Sequence, residues 1–285
     1  MRARRVITLV IGLMALAACN MPGRDAPDVA PTRTPLPLAQ ATTTPSPGPP
    51  PTDVASWTQV APGIELQITQ LPINANVGSA DITILRLDPQ QISLRMFYAP
   101  DDPATVSGWA TRTKAVATIN GGFFTTANTV NGLLVRDGQR YGTTFDRHGG
   151  MLSVAGDKIA VRSLAQYPYD PAEQLDQAVQ GRPMILYPGG FPVQFDDISD
   201  VADRRTAVGQ DRSGRVLFIV ADQSVVSLYR LRDWLASERP DLDLFVAFNL
   251  DGGHSTGMVI PDGPQPVSID SRTRIPAVIA IYQRK

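Results

Sequence analysis

The chain has 285 residues, with 26 Lys and Arg against 27 Asp and Glu and a formal net charge of -1. Charges of both signs are spread along it without blocks, which excludes the basic stripe of a nucleic-acid-binding domain. A single cysteine, Cys19, excludes an internal disulfide, so stability has to come from buried apolar surface.

In chain order, the first segment reads as an export signal. Arg2, Arg4 and Arg5 precede an apolar run from Val6 to Leu16, and the small residues Ala17 and Ala18 follow. The run is too short to span a bilayer as a helix, which needs roughly 20 residues. Leu16-Ala17-Ala18-Cys19 resembles the bacterial lipobox, which implies cleavage before Cys19, lipidation of its sulfur and anchoring to the outer side of the cell membrane or at the cell surface. An ordinary signal peptide with a chance cysteine is the alternative. Residues 1–18 are thus expected to be a lipoprotein signal peptide. Residues 19–56 are expected to be a disordered linker, because the tract is rich in Pro, Thr, Ala and Ser and has no apolar period with which to offset its ordering entropy.

Residues 57–285 are expected to fold as one domain. Short strand signals alternate with turns: Ile82, Ile84 and Leu87 face Ile92, Leu94 and Met96 across Asp88-Pro89-Gln90, which reads as a hairpin. Leu133-Leu134-Val135 runs into Asp137-Gly138, Met151 to Val154 into Gly156-Asp157, and Met258 to Ile260 into Asp262-Gly263. Ser227 followed by Leu228, Leu231, Trp234 and Leu235, with Pro240 as a stop, predicts a helix. Val106, Trp109 and Ala110 predict a second between Pro103 and Lys114. Leu242 to Asp251 alternates with apolar residues on both faces and reads as a central, doubly covered strand that carries Asn249 and Asp251 on one side. The fold class expected is α+β, a single strand-rich domain with a mixed or antiparallel sheet and a few helices.

Chemistry concentrates in Asn120-Gly121-Gly122-Phe123-Phe124, Arg205-Thr206-Ala207-Val208-Gly209 and Asn249-Leu250-Asp251-Gly252-Gly253-His254-Ser255. Singly, each is as good a turn or a solvated edge charge as it is a site. In this order, with Gly181-Arg182-Pro183 and the Asp222 that ends an apolar strand between them, they resemble the phosphodiester glycosidase family, which includes the mannose 6-phosphate uncovering enzyme and its bacterial relatives. The resemblance covers roughly Ala115 to Val259. His254 departs from the family's third glycine, Gln223 from a glycine, and Arg182 separates Gly181 from Pro183.

The resemblance implies a hydrolase that cleaves the bond between a sugar's anomeric carbon and a phosphodiester, in an envelope or extracellular glycan. It also implies a site with Asp251 as base or nucleophile, Asp222 as second carboxylate and Asn249 and Asn120 as orienting amides. His254 is a candidate acid or a wall residue. Arg205 is the candidate phosphate clamp, because a guanidinium presents paired N–H donors at any working pH. Thr206, Ser255 and the backbone of Gly121, Gly122, Gly252 and Gly253 are expected to contact substrate, and Phe124 to serve as core or as a sugar platform. His148 and His254 are the only histidines, and no His/Cys metal spacing is present, so no cofactor is implied; an oxygen-liganded Ca²⁺ or Mg²⁺ stays open. The expected partners are a phosphoglycan and, through Cys19, the membrane. A non-catalytic carbohydrate- or envelope-binding lipoprotein and a metal-dependent phosphodiesterase cleaving P–O are the competing readings.

Overall fold

The computed structural model describes residues 56–145, 147–195 and 201–284. The expected signal peptide, Cys19 and the linker lie outside them. Among the described residues the strands form three sheets in which every neighbouring pair is antiparallel. The eight-stranded sheet runs Thr58–Ala61, Ile64–Asn74, Gly78–Leu87, Val216–Val226, Asp203–Asp211, Leu244–Asn249, Met184–Tyr187 and Phe191–Pro192. One five-stranded sheet runs Gln139–Tyr141, Leu134–Arg136, Gln177–Gly181, Gly150–Ala155 and Lys158–Ser163; the other runs Val267–Ile269, Met258–Ile260, Ala117–Asn120, Ala277–Gln283 and Ile92–Tyr98.

One core joins all three sheets. Leu66, Leu85, Val208, Phe218 and Phe248 from the first meet Leu152, Val161 and Val179 from the second and Leu94, Ile119 and Ile279 from the third. Each side chain of this size stabilises the fold by about 1.5–3 kcal/mol when fully buried. The other face of the large sheet is covered by the helix Leu228–Asp233 and the π turn Trp234–Glu238, which press Leu231, Trp234 and Leu235 onto Ile82, Ile219 and Ala247. Ser227 caps this helix by accepting the Arg230 N–H. The helix Val106–Thr113, capped by Thr105, buries Val106, Trp109 and Ala110 against Val259 and Val278. The strand-rich architecture and both helices agree with the sequence, and the Asp137-Gly138, Gly156-Asp157 and Asp262-Gly263 hairpins form as expected.

Two expectations are corrected. Gly78–Leu87 and Ile92–Tyr98 are both strands, but they belong to different sheets and do not form a hairpin. Leu85, Leu87, Ile92, Leu94 and Met96 all enter the shared core, so the Asp88 to Gln91 turn carries the chain across it. That turn offers no glycine for the left-handed residues of a tight two-residue hairpin. The second correction concerns the central strand, which starts at Leu244 and ends at Asn249, with Leu242 in a short 3-10 turn. Its outer face is open at Phe245, which is 38% exposed beneath the Arg212 guanidinium, 5.5 Å from the ring centroid.

Candidate active site

The end of the Leu244–Asn249 strand is where the motifs meet. Leu250 N–H donates to the Thr206 carbonyl at 2.9 Å, which continues the pairing with the Asp203–Asp211 strand one residue past Asn249. Asp251 N–H donates to the Gly121 carbonyl at 3.4 Å. The buried Asn120 amide ties both segments together: Nδ2 donates to the Asp251 carbonyl at 2.8 Å, and Oδ1 accepts from Thr206 Oγ1 at 2.7 Å and Gly257 N–H at 3.1 Å. Three stretches far apart in sequence are thereby held on one amide. Asn120 therefore positions the backbone of the Asp251 turn.

Asp251 is the perturbed acid of this cluster. Burial pushes its pKa up to about 6, against the opposing pull of hydrogen bonds from the Ser255 side chain and the Gly252 N–H, which reaches Oδ1 at 2.9 Å. Desolvation wins because it penalises the charged form more than two donors relieve it. A carboxyl group set near 6 titrates close to neutral pH, which is the range a general base or nucleophile uses.

Arg204 and Arg205 part company. On the Asp203–Asp211 strand, Arg204 shares a face with Thr206 and Val208, toward the core common to the sheets, while Arg205 takes the opposite face with Ala207. Arg204 is 2% exposed; it pairs with Asp222 Oδ1 and donates to the Asp222 and Asp270 carbonyls, each at 3.0 Å. Its Nη1 is buried without a partner in the structure. Arg205 spends its guanidinium on the backbone, with Nε on the Val226 carbonyl at 2.9 Å and Nη2 on the Val201 carbonyl. Burial lowers its pKa from the ordinary value, opposed by the nearby Asp203. The sequence points to Arg205; the structure pairs Arg204 with Asp222.

Beside this cluster opens a cavity of about 640 Å³, lined among others by Phe123, Arg147, His148, Arg182, Tyr187 and Asn249. That volume suits a sugar phosphate. Phe123 follows the Gly121-Gly122 turn that holds Asp251, and Asn249 lies two residues before Asp251, so the carboxyl cluster adjoins the cavity without lining it. Asn249 Nδ2 donates to the Arg182 carbonyl at 3.0 Å, leaving Oδ1 buried and unpaired. The Arg182 guanidinium lies over the Phe145 ring at 5.0 Å. Neither Arg182 nor Arg147 has a carboxylate partner among the described residues.

A family model described as phosphodiester glycosidase matches residues 113–282. The chain belongs to the phosphodiester glycosidase family. Its fold is similar to that of the catalytic domain of the zebrafish N-acetylglucosamine-1-phosphodiester alpha-N-acetylglucosaminidase, a structure described as auto-inhibited by its pro-peptide, at a TM-score of 0.62 and 20% identity over 81% of this chain and 87% of that one. A hypothetical protein from Synechocystis is similar at a TM-score of 0.61 and 15% identity, over 83% of this chain and 64% of that one. In sequence, the uncharacterized protein YigE of Escherichia coli K12 is 24% identical over 188 residues, 56% of this chain and 72% of that protein.

Within this phosphodiester glycosidase domain the sequence-derived candidates divide. Asn120, Gly121, Thr206, Asp251, Gly252 and Ser255 form one hydrogen-bonded cluster. Gly253 lies against Asp203, whose Oδ2 would be 2.8 Å from an added Cβ. Asp222 is held by Arg204 at the cluster's edge, and Asn249 faces the cavity. Gly122 is needed for packing: a Cβ there would stand 2.7 Å from the Gln180 carbonyl. Phe124 packs on the Val106–Thr113 helix layer and not in the cavity, whereas Phe123 lines it. His254 is exposed, and its carbonyl accepts the Arg272 N–H at 2.8 Å. Sequence reasoning missed Arg147 and Arg182 as cavity residues; Arg182 was visible only as an interruption between Gly181 and Pro183. Among the described residues no group of three or more His, Cys, Asp or Glu side chains gathers in a way that could hold a metal ion.

Proposed function

We propose that the domain hydrolyses a sugar 1-phosphodiester, breaking the bond between the anomeric carbon and the phosphate oxygen, with the sugar phosphate bound in the cavity beside Asp251. The observation that carries the reading is Asp251 itself: a carboxyl group desolvated to a pKa of about 6 and held by Gly252 and Ser255, with Asn120 on its backbone carbonyl, next to a cavity with two arginines that have no carboxylate partner among the described residues. Ionised Asp251 acts at C1, either by taking a proton from water or as nucleophile. Water supplies the hydroxyl that ends on the sugar, and the phosphate departs as a monoester. Its second pKa lies near 6, so the leaving oxygen needs little protonation. Arg182 and Arg147 hold the phosphate in place of Arg205, whose donors are engaged by backbone carbonyls.

The export signal and lipobox resemblance support a location outside the cell membrane, tethered through Cys19, which places an envelope or extracellular phosphoglycan within reach. Hydrolysis in ¹⁸O-labelled water tests the bond: label in the sugar is expected, and label in the phosphate would make the protein a phosphodiesterase that cleaves P–O. Asp251→Asn should lower kcat by about 10²-fold or more with KM little changed, and the parent's rate should rise as pH passes through about 6. Arg182→Ala should raise KM for phosphodiesters. A parent protein that binds phosphoglycan but turns over none of a panel of sugar 1-phosphodiesters would be a binding lipoprotein on this fold.

A further inference from the structure

The cavity's apolar floor continues past its mouth. Val193 and Phe195 line it together with Tyr187, and Phe191 extends their every-second-residue row outward. Phe191 is also the direct cross-strand partner of Tyr187, so the two side chains rise from the same face, roughly 5 Å apart at Cβ. Tyr187 is 39% exposed and Phe191 67%. The floor therefore climbs from the buried Val193 and Phe195 onto an aromatic hairpin in open water.

Phe191 is exposed but not loose. Its Cε2 lies 2.4 Å from where a Cβ on Gly189 would stand, and Gly189 has a φ of +104°. The Cδ2–Cε2 edge of the ring thus abuts Gly189, in space that a side chain at 189 would take. Pro192 follows and restricts the backbone of Phe191. One edge of the ring is supported while most of it stays exposed, so a ligand that stacks there meets a side chain already restrained.

We propose that the Tyr187–Phe191 hairpin is a stacking platform for sugar units of a glycan chain extending beyond the residue held in the cavity, so that the protein takes a polymeric phosphoglycan in preference to an isolated sugar phosphodiester. This rests on the cavity being the substrate site. A pyranose presents an apolar C–H face to an aromatic ring while its hydroxyls stay in water, which matches aromatic rings that stand partly exposed. A peptide adding a strand here would find an edge of two residues, one of them a proline without an N–H. Arg147 and Arg182 at the cavity give the path a positive margin, which suits a chain carrying phosphates.

The test compares the full protein with its Phe191→Ala variant on two probes: a capsular polysaccharide whose repeats are joined by sugar 1-phosphodiester bonds, and the single repeat unit of that polymer. Phe191→Ala should lower kcat/KM on the polymer about fivefold, the scale of one aromatic contact, and leave the repeat unit within twofold. Electrophoresis in gels containing the polymer should retard the parent more than the variant, with equal melting temperatures showing that the fold is intact. Equal kinetics of the two proteins on the polymer, or equal mobility in the gel, overturns the platform. If the parent cleaves neither probe, the proposed hydrolysis fails by itself, and the gel still decides for or against the platform. Loss of sedimentation with anionic phospholipid vesicles, without loss of retardation by the polymer, would assign the hairpin to a lipid surface instead.

Discussion

At the residue scale, the environment of Asp251 has a cost that can be measured apart from activity. Its pKa is about 6 in the folded protein and near 3.9 in an unfolded chain. Between those values the native state binds the extra proton, so stability falls as pH rises from about 4 to 6 and stays reduced above that. About two units correspond to at most roughly 3 kcal/mol. Asp251→Asn removes the charge and keeps the size, so its melting temperature should exceed the parent's by several degrees at pH 8 and match it near pH 4. The same difference at both pH values would mean that the carboxyl is not desolvated in the native state. The gain in stability alongside the loss of turnover is what a strained catalytic group predicts. Arg204 and Arg205 make a second point at this scale. Adjacent positions on a strand face opposite ways, and the sequence contains nothing that says which of two arginines faces the carboxylates.

At the scale of elements, the turn after the Ala117–Asn120 strand is held tight against the Gln177–Gly181 strand. An added Cβ at Gly122 would stand 2.7 Å from the Gln180 carbonyl and 3.0 Å from Val179 Cγ2. Neither neighbour can yield, since Gln180 is fixed on both sides: its side-chain oxygen accepts the Leu133 and Phe145 N–H groups, and its own N–H donates to the Leu133 carbonyl. Gly122→Ala should therefore cost about 1–3 kcal/mol, the usual scale of overpacking, read as a lower urea midpoint at unchanged m value. A midpoint equal to the parent's would show that the turn has room. The glycine pair was legible as a turn from its composition. That one glycine is there for a neighbouring strand, and not for a ligand, needed the register of a partner 58 positions away in the chain.

At the scale of the whole molecule, the three sheets draw on one core whose members all lie at or after Ile64, and Trp57 stacks under the Arg86 guanidinium, 3.7 Å from its centroid. A fragment of residues 57–285 should accordingly unfold in one transition, with a melting temperature within about 2 °C of the chain that begins at Cys19, because a Pro- and Thr-rich tract without an apolar period is expected to add no buried surface. A drop of many degrees on removing residues 19–56 would show that the tract packs on the domain. Local chemistry by itself determined the strand-rich character, the helix that starts after Ser227, the helix between Pro103 and Lys114, and the three Asp-Gly and Gly-Asp hairpins, because alternation, helical period and turn residues act over a few positions. The ordered motifs determined the family for the same reason, each being a short run that keeps its meaning wherever the fold puts it. Only the tertiary structure decided that Gly78–Leu87 and Ile92–Tyr98 belong to separate sheets, since either pairing buries the same apolar faces. It likewise decided that Arg204 turns toward Asp222 while Arg205 turns away, and that Arg147 and Arg182, from distant segments, share one cavity with Asn249. Desolvation of Asp251 belongs with these: it is set by what several strands exclude around the carboxyl, and no window of sequence contains them all.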